Sequence, residues 1–374
     1  MGLCGKTSAA VSIILVALLI RFSWRDAGEK PQFDQRFDIQ EGGRVCFFDL
    51  PIDDDEQEDV PSPILFMIHG TGQDADVMKT IFGEEAVARA RREGFVVVYP
   101  VGIKIRGLQR TWNGGGMSEM SDDGLYANDV AYFSHIVAHL AANFNADPQR
   151  VFLSGMSYGG IMTHRLACAW ASESHPIHVR AIAPILGALG KMKYDAKCGD
   201  EVRLVPFPIL YRTFDEDACP YQAWKDAPAH FECDALKDLP ALIVNNGRDI
   251  LMPLGGATLT TIIGSTGLFP PAEYTLRFYA EANGCDYDSH ATSRVETLRR
   301  VSTEHPDDIT TCHSLLNCRS NTTLCVSHNA LHEWVSPTNG DERSGFTRWL
   351  TSPRAKTMNT SHEILNFFSQ YNTH

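Results

Sequence analysis

The chain has 374 residues, of which 44% are hydrophobic, so it can bury one large core or two modest ones. Its formal net charge is -13, and no cluster of basic residues interrupts that balance. This charge argues against nucleic acid as a partner and against long-range attraction to anionic lipid. The composition also argues against a disordered chain and favours a globular protein.

The first thirty residues differ from the rest. Lys6 precedes an uncharged run over residues 7–20, which arginine closes. The run is shorter than the roughly 20 apolar residues that cross a bilayer, and it fits the apolar part of a secretory signal, roughly 7 to 15 residues long. No clear cleavage site follows, so we expect residues 1–27 to be either a cleaved signal peptide or an uncleaved signal anchor. In both cases the rest of the chain lies outside the cytosol, and the anchor is the only membrane contact expected.

Short apolar runs then alternate with amphipathic stretches. The predicted strands are RVCFFDLP (44–51), ILFMI (64–68), FVVVYP (95–100), RVFLS (150–154), VRAIAPIL (179–186), ALIVNN (241–246) and TLCVSH (323–328), and the predicted helices are 74–94, 129–144 and 161–170. Runs that are apolar throughout are typical of strands buried on both faces of a parallel sheet. The pattern therefore predicts an α/β class protein with a mostly parallel, doubly wound sheet in one domain over residues 40–372.

Two long stretches interrupt this alternation. Residues 187–238 are rich in proline and cysteine, and residues 284–323 are polar. Excursions of this length in a compact domain are usually lids or binding loops and not sheet. We expect residues 187–238 to form a cap-like insertion beside the functional site.

Cysteine usage agrees with an oxidising compartment, because nine of the ten cysteines follow the leader. An odd number leaves at least one that is free or pairs outside the chain. The nearest approach to a zinc pattern is Cys312-His313, which we interpret as half of a disulfide with a metal site as the alternative. The triplets that begin at Asn321 and Asn359 are candidate glycosylation sites.

The sequence Gly155-Met156-Ser157-Tyr158-Gly159 lies between a predicted strand and a predicted helix. A serine on such a strand-to-helix turn has its hydroxyl exposed above the sheet, and flanking glycines leave room for the crossing of strand and helix. The helix N-terminus also points at negative charge that develops there. Ser157 is therefore the predicted nucleophile, and an ordinary tight turn is the alternative.

A serine hydroxyl needs a histidine to take its proton and an acid to orient that histidine, in the chain order Ser, acid, His for this arrangement. Asp249 follows the predicted strand ALIVNN and is the candidate acid. His328 and His332 closely follow the last predicted strand, and we assign the base to His332, because His328 is nearer the strand end, where we expect it to pack or cap.

The tetrahedral intermediate of acyl transfer requires two N–H donors for its oxyanion. One should be the backbone N–H of Tyr158, directly after the nucleophile. The other should come from the loop HGTGQD after the strand ILFMI, where Thr71 is the candidate and His69 orients the loop. A helix cap is the expected role of Asp129.

Several segments together resemble a secreted esterase family that includes polyhydroxybutyrate depolymerases and feruloyl esterases, within the α/β-hydrolase superfamily. The segments are HGTGQ, YPVG followed by TWNGGG, NDVAYFSHIV, GMSYGGIMTHRLAC, NGRDILMP, NGC and HEW, and they lie between Ile64 and Trp334. The resemblance implies the α/β-hydrolase fold, secretion, no cofactor, and hydrolysis of carboxylic esters carried on polymers or plant phenolics. The oligomeric state is left open.

The resemblance also implies roles for individual residues. Trp112 and Trp334 would flank the acyl site, with Asn113 beside them as a further substrate-binding residue, and Cys285 would form a disulfide with Cys318. A structural place in the core is the alternative for Trp112. The family's cysteine pair after the tryptophan-asparagine motif is replaced here by GGGM, so the type of ester is left open.

The function predicted from these residues is that of a serine esterase acting through an acyl-enzyme. A serine peptidase of the prolyl-oligopeptidase type is one alternative, although such peptidases usually add a propeller domain for which the chain has no room. A catalytically silent hydrolase fold used for binding is the other, although such proteins typically lose a member of the triad.

Overall fold

The structure is a computed structural model of the protein. It describes residues 30–39, 44–52, 60–105, 109–114, 128–189, 202–204, 210–213, 221–222, 233, 235–261, 264–287, 295–301, 308–337 and 356–372. The predicted leader, residues 1–27, lies outside these ranges. Within them, no helix has the length and apolar character needed to cross a membrane.

Sixteen strands and six helices make up the described elements. The strands are β1 (Gln35–Ile39), β2 (Arg44–Asp49), β3 (Ser62–Ile68), β4 (Val96–Pro100), β5 (Ile103–Ile105), β6 (Gln109–Thr111), β7 (Ala146–Met156), β8 (Val179–Ile185), β9 (Val202–Leu204), β10 (Leu210–Thr213), β11 (Ala241–Asn246), β12 (Ala257–Thr261), β13 (Gly264–Phe269), β14 (Val295–Val301), β15 (Ile309–Leu315) and β16 (Thr322–Ser327). The helices are α1 (Ala75–Phe82), α2 (Glu84–Arg92), α3 (Asp129–Asn143), α4 (Tyr158–Ala169), α5 (Ala272–Ala282) and α6 (Thr360–Ser369).

Ten strands form the main sheet in the order β1-β2-β4-β3-β7-β8-β11-β16-β15-β14. The six strands from β4 to β16 in this order are parallel to their neighbours, and antiparallel strands extend both ends. The predicted mostly parallel α/β sheet is therefore confirmed. The carboxyl ends of β3, β7, β8, β11 and β16 lie along one edge, which is where parallel α/β sheets place their functional groups.

Helices cover both faces of this sheet. Along β3, Ile64, Phe66 and Ile68 belong to the core that α3, α4 and α5 cover, whereas Leu65 and Met67 face the core beneath α1, α2 and α6. Because neighbouring residues of a strand point to opposite faces, a strand between two such cores must be apolar throughout. The burial of every residue of β4 and β11 has the same cause.

The single helix predicted over residues 74–94 is wrong, because the chain forms two helices there. Asp74 caps the first by accepting a hydrogen bond from Val77 N at 3.2 Å. Gly83 then takes φ 89°, a conformation that glycine adopts without steric cost, and both ends α1 and precedes α2.

The expectation that residues 284–323 lie outside the sheet is also wrong. They contain β14 and β15, two antiparallel strands that extend the sheet beyond β16. Buried and partly buried residues largely alternate in β15, so this strand never forms the apolar run by which the parallel strands were predicted.

Within residues 187–238, β9 and β10 pair with β12 and β13 in a separate four-stranded antiparallel sheet. The cap role of this insertion stays a prediction.

Three disulfides join the described residues. Cys285 bonds Cys318, the pair that the resemblance implied, and Cys312 on β15 bonds the facing Cys325 on β16. The third bond joins Cys168 of α4 to Cys233. Cys312 is thus half of a disulfide, and no group of three or more potential metal ligands occurs in the described ranges. Cys46 is free and fully buried, and burial raises the pKa of its thiol to about 12, so it is an inert core residue.

Candidate active site

Ser157 lies on a sharp turn between β7 and α4. Its backbone has φ 58° and ψ -120°, a conformation that costs energy for a residue with a side chain, and strain of this kind clusters at functional sites. The turn is held by a 2.8 Å hydrogen bond from Ser157 N to Ile185 O at the end of β8. The predicted strand-to-helix turn is thus present, with α4 beginning at Tyr158, earlier than the predicted start at residue 161.

The two glycines of the serine motif are needed for this crossing. A Cβ on Gly155 would lie 2.6 Å from the Gly159 carbonyl group, and a Cβ on Gly159 would collide with the carbonyl oxygen of Ile68. Real Cβ atoms do not approach backbone atoms so closely, so only glycine lets β3, β7 and α4 meet at this point. The turn that carries Ser157 is therefore formed by close packing of backbone against backbone.

The candidate acid and base are in contact. His332 Nδ1 lies 2.7 Å from Asp249 Oδ2, and Asp249 Oδ1 accepts hydrogen bonds from Leu251 N at 2.8 Å and Met252 N at 2.9 Å. An ionised carboxylate only accepts, so Nδ1 carries the proton of the neutral imidazole and Nε2 keeps its lone pair. Nε2 is therefore the nitrogen able to accept a proton from a nucleophile.

His328 lies elsewhere. Its Nε2 is 2.8 Å from the Thr311 hydroxyl on β15, and its side chain is exposed. Of the two candidate bases, His332 is the one in contact with Asp249; its catalytic role stays a prediction.

The three candidate triad residues follow strands that run in the same direction. Ser157 follows β7, Asp249 follows β11 and His332 follows β16, and these strands are parallel within one sheet. The structure therefore brings the three segments to the same edge. No hydrogen bond joins Ser157 to His332 among the described contacts, and such bonds often tighten only when substrate is bound.

The loop after β3 packs directly against the serine. A Cβ on Gly70 would lie 3.2 Å from Ser157 Cβ. Two neighbouring amides of this loop are already occupied: Gly70 N donates to Gln73 Oε1 at 2.8 Å, and Gly72 N donates to Arg110 O at 2.8 Å. The N–H of Thr71 has no acceptor among the described residues, which leaves it able to bind an oxyanion.

The side chain of His69 fixes the backbone of this loop through two hydrogen bonds. Its Nε2 accepts from Gly102 N at 3.0 Å, and its Nδ1 is 2.7 Å from Gly70 O, to which it can donate. Burial lowers the pKa of His69 to about 4, so the ring is neutral at neutral pH, as an acceptor at Nε2 requires. These contacts match an orienting side chain.

Both tryptophans that the resemblance singled out are buried. Trp112 is fully buried, donates from Nε1 to His69 O at 2.7 Å and packs on Phe133. Trp334 is also buried, and its Nε1 donates to Ser361 Oγ of α6 at 3.0 Å. These contacts give both indole rings a place in the core, and the roles flanking the acyl group, which the resemblance implied, stay a prediction.

Asn113 and Asp129 belong to a polar cluster behind the serine helix. Arg165 of α4 donates to Asn113 Oδ1 at 2.8 Å, and Asp129 accepts from Asn113 N and from Arg44 Nη1, the latter at 2.5 Å. The cap role expected for Asp129 is wrong, since Asn128 caps α3 through a 3.0 Å bond from Ala131 N. Asp129 instead ties the segment after β6 to β2 and α3.

Sequence reasoning missed one residue, Asn246. Its buried side-chain amide contacts the backbone on both sides of His332. It lies inside the segment NGRDILMP, but nothing in the pattern distinguishes it from Asn245 beside it. The contact depends on how β11 and β16 are aligned, which a single sequence does not reveal.

Two family descriptions match the chain. Residues 57–182 match the esterase family described as "Esterase PHB depolymerase", and residues 125–261 match the family described as "alpha/beta hydrolase fold". The first range contains the loop after β3 and the serine turn, and the second extends past Asp249.

A curated relative is the "Bifunctional acetylxylan esterase/xylanase XynS20E" of Neocallimastix patriciarum, 33% identical over 126 residues. The match covers 34% of this chain and only 16% of the relative's length.

Among solved structures, "Acetyl xylan esterase from Aspergillus awamori" is 14% identical, with 80% of this chain and 93% of that chain covered and a TM-score of 0.46. A putative dienelactone hydrolase from Klebsiella pneumoniae subsp. pneumoniae MGH 78578 is 15% identical, with 89% and 95% covered and a TM-score of 0.43. The two family matches and the mostly parallel sheet confirm the expected resemblance. The chain has the α/β-hydrolase fold and resembles the polyhydroxybutyrate depolymerase esterases.

Proposed function

We propose that the protein is a serine carboxylic-ester hydrolase that works through an acyl-enzyme, with Ser157 as nucleophile, His332 as base and Asp249 as the acid that orients the base. One observation carries the proposal. The 2.7 Å contact between His332 Nδ1 and Asp249 Oδ2 lies at the sheet edge where Ser157 occupies a strained strand-to-helix turn.

The reaction follows from these positions. His332 Nε2 takes the hydroxyl proton of Ser157 as Oγ attacks the ester carbonyl carbon, and the carbonyl oxygen becomes an oxyanion that the N–H groups of Thr71 and Tyr158 receive. The imidazolium then gives its proton to the leaving alkoxide, and the alcohol departs. Water, deprotonated by His332, attacks the carbonyl carbon of the acyl-enzyme. The bond between that carbon and Ser157 Oγ then breaks, the imidazolium returns its proton to Oγ, and the acid departs.

Asp249 contributes in two ways. Its carboxylate holds His332 in the tautomer that leaves Nε2 unprotonated, and its negative charge stabilises the imidazolium that forms during each half of the reaction. The two backbone bonds from Leu251 N and Met252 N fix the carboxylate in this position.

The comparisons support esters of acetyl or hydroxybutyrate type as substrates, since the relative's printed name includes acetylxylan esterase and the matching family is named for polyhydroxybutyrate depolymerase. Feruloyl esters carried on polymers stay a prediction from the resemblance. Three disulfides support a location outside the cytosol, with residues 1–27 as the export signal or anchor. Glycosylation at Asn321 and Asn359 stays a prediction; the Asn359 side chain caps α6 by accepting from His362 N at 3.2 Å.

A fluorophosphonate probe and p-nitrophenyl acetate test this function. We expect the probe to label the wild-type protein and not Ser157→Ala, whose turnover should fall by roughly 10⁴- to 10⁶-fold. Ser154→Ala is the matched control, because Ser154 is a buried serine on the same strand with its hydroxyl bonded to Ala183 O at 2.8 Å. Labelling that survives in Ser157→Ala, or a wild-type protein that hydrolyses peptide anilides and not esters, would contradict the proposal.

A further inference from the structure

Asn246 is the last residue of β11, and its side chain has a position that the reaction scheme above does not use. It is fully buried, and Nδ2 donates two hydrogen bonds, to Leu331 O at 2.5 Å and to Glu333 O at 2.9 Å. These two carbonyl groups stand on either side of His332. One amide group thus binds the backbone immediately before and immediately after the candidate base.

The orientation of this amide follows from its partners. Two carbonyl oxygens can only accept, so the NH₂ group and not the oxygen of Asn246 must face them. Asn246 Oδ1 is buried without a partner in the described part of the chain. Burying an unpaired polar atom costs free energy, which indicates that the side chain is kept for the two donors on its other atom.

The same short segment holds His332 by its side chain and by its backbone. Asp249, three residues after Asn246, binds the imidazole, while Asn246 binds the two flanking peptide groups. Further bonds from Gly247 N to Ser327 O at 2.9 Å and from Arg248 N to Ala330 O at 3.0 Å run along the same two segments. Both the imidazole and the backbone of His332 are therefore fixed relative to Asp249.

We infer that Asn246 is a positioning residue for the hydrolysis, which keeps the His332 backbone at the place from which the imidazole reaches both Asp249 and Ser157. This inference rests on the proposed function. Asn246 acts through His332 and not by contact with substrate. A base displaced by about 1 Å can lose about a hundredfold in rate, so two hydrogen bonds at this position matter more for turnover than for binding of the ester.

The test compares Asn246→Ala with Asn245→Ala. Asn245 is the neighbouring buried asparagine on β11, its amide oxygen is likewise buried without a described partner, and consecutive strand residues face opposite sides of the sheet. We expect Asn246→Ala to lower kcat by about tenfold to a hundredfold with KM changed less than about threefold. Asn245→Ala should keep kcat within about twofold, whatever it does to the melting temperature.

The pH profile separates positioning from loss of folded protein. When the imidazole is less firmly placed on Asp249, its charged form is less stabilised, so the acid limb of the kcat/KM profile should move to lower pH in Asn246→Ala. If the variant only contained less folded protein, the fluorophosphonate would titrate fewer active sites, and the acid limb of the kcat/KM profile would stay at the wild-type pH. Equal kcat per titrated site and equal limbs in Asn246→Ala and the wild-type protein would overturn the inference.

Asn246→Ser decides the question if the alanine variant fails to fold. A serine hydroxyl keeps one donor in place of two, so we expect a smaller decrease in kcat in the same direction, with the same shift of the acid limb. A serine variant with wild-type kcat and profile overturns the inference. Absence of probe labelling in the wild-type protein would overturn the proposed function, whereas labelling of the wild-type protein with undiminished turnover in the Asn246 variants overturns this inference alone.

Discussion

The loops that follow β3 and β16 are held in different ways. The donor loop, residues 69–73, is held by two of its own side chains, since His69 binds Gly70 O and Gln73 binds Gly70 N. It is also held by the nearby segment 102–112, which bonds His69 and Gly72. The base loop, residues 328–334, is held by Asn246 and Asp249 of another strand, and Asp249 is 83 residues away from His332 in the sequence. The donor loop thus combines a short local motif with contacts to a segment about 30 to 40 residues away, whereas the base loop depends on contacts more than 80 residues apart in the sequence.

Removing the base tests the second loop most severely. His332→Ala takes away the proton acceptor that contacts Asp249, so turnover of p-nitrophenyl acetate should fall by roughly 10⁴- to 10⁶-fold. His328→Ala, in the same loop, removes only an exposed contact with Thr311 and should change turnover less than about threefold. If His328→Ala abolished turnover and His332→Ala retained it, the assignment of the base would be wrong.

Removing the internal brace of the donor loop should have a smaller effect. Gln73→Ala leaves Gly70 N without its acceptor and frees the loop that carries Thr71, the proposed oxyanion donor. Because loss of one oxyanion donor costs about a hundredfold to a thousandfold, a donor that is misplaced but present should cost about tenfold to a hundredfold in kcat.

Asp74→Ala is the control for that variant. It removes the cap of α1 next in the sequence and should lower the free energy of unfolding by about 1 kcal/mol with little change in kcat. Equal kcat values for Gln73→Ala and Asp74→Ala would show that the donor loop does not depend on its own side chains.

Acid should lower the free energy of unfolding through two buried histidines, one of them in the donor loop. Burial lowers the pKa of His69 in the donor loop to about 4, and that of His164 in the core to about 3, from a value near 6.5 in the unfolded chain. Below pH 6.5 the unfolded state therefore binds protons that the folded state refuses. The stability that the folded state gains by keeping these two histidines neutral is fully present above pH 6.5. It is lost as the pH falls to about 4, at about 1.4 kcal/mol per pH unit for each histidine.

Urea unfolding at several pH values between 6.5 and 4 measures this slope. In His69→Gln the contribution of His69 disappears and that of His164 remains, so the slope should decrease by about 1.4 kcal/mol per pH unit, even if the variant is less stable throughout. A slope equal to that of the wild-type protein would exclude His69 as a source of acid sensitivity.

The sequence was sufficient for the parallel half of the sheet. Strands such as β4 and β11 lie between two cores and must be apolar at every position, which makes them visible as runs. The strand β15 has only one well-buried face, and its residues ITTCHSL form no such run, so it was assigned to a loop. The break between α1 and α2 was also missed, because the spacing of apolar residues continues through Gly83 while the backbone does not.

The same limit applies to the site. Ser157, Asp249 and His332 each closely follow a predicted strand, and this position can be recognised from the neighbouring residues alone. The role of Asn246 depends on the parallel register that places it opposite Ser327, and this register exists only in the folded sheet. The burial of Trp112 could not be read from its motif, because a family motif shows that a residue recurs and not whether it faces substrate or core.

The position of β14 has a consequence for the protein in solution. It forms one border of the ten-stranded sheet and pairs with β15, which in turn pairs with β16, the strand that leads to His332. An unpaired border strand can recruit other chains, and here it exposes Leu298 and Val301. Arg299 is exposed and Arg300 partly exposed on the same strand. Arg300 Nη1 contacts Glu363 Oε1 of α6 at 2.5 Å, so the exposed Arg299 sets the charge of this border. A charged side chain on a border strand opposes pairing with the same strand of another molecule, and so protects this border of the sheet against aggregation, the opposite border being β1.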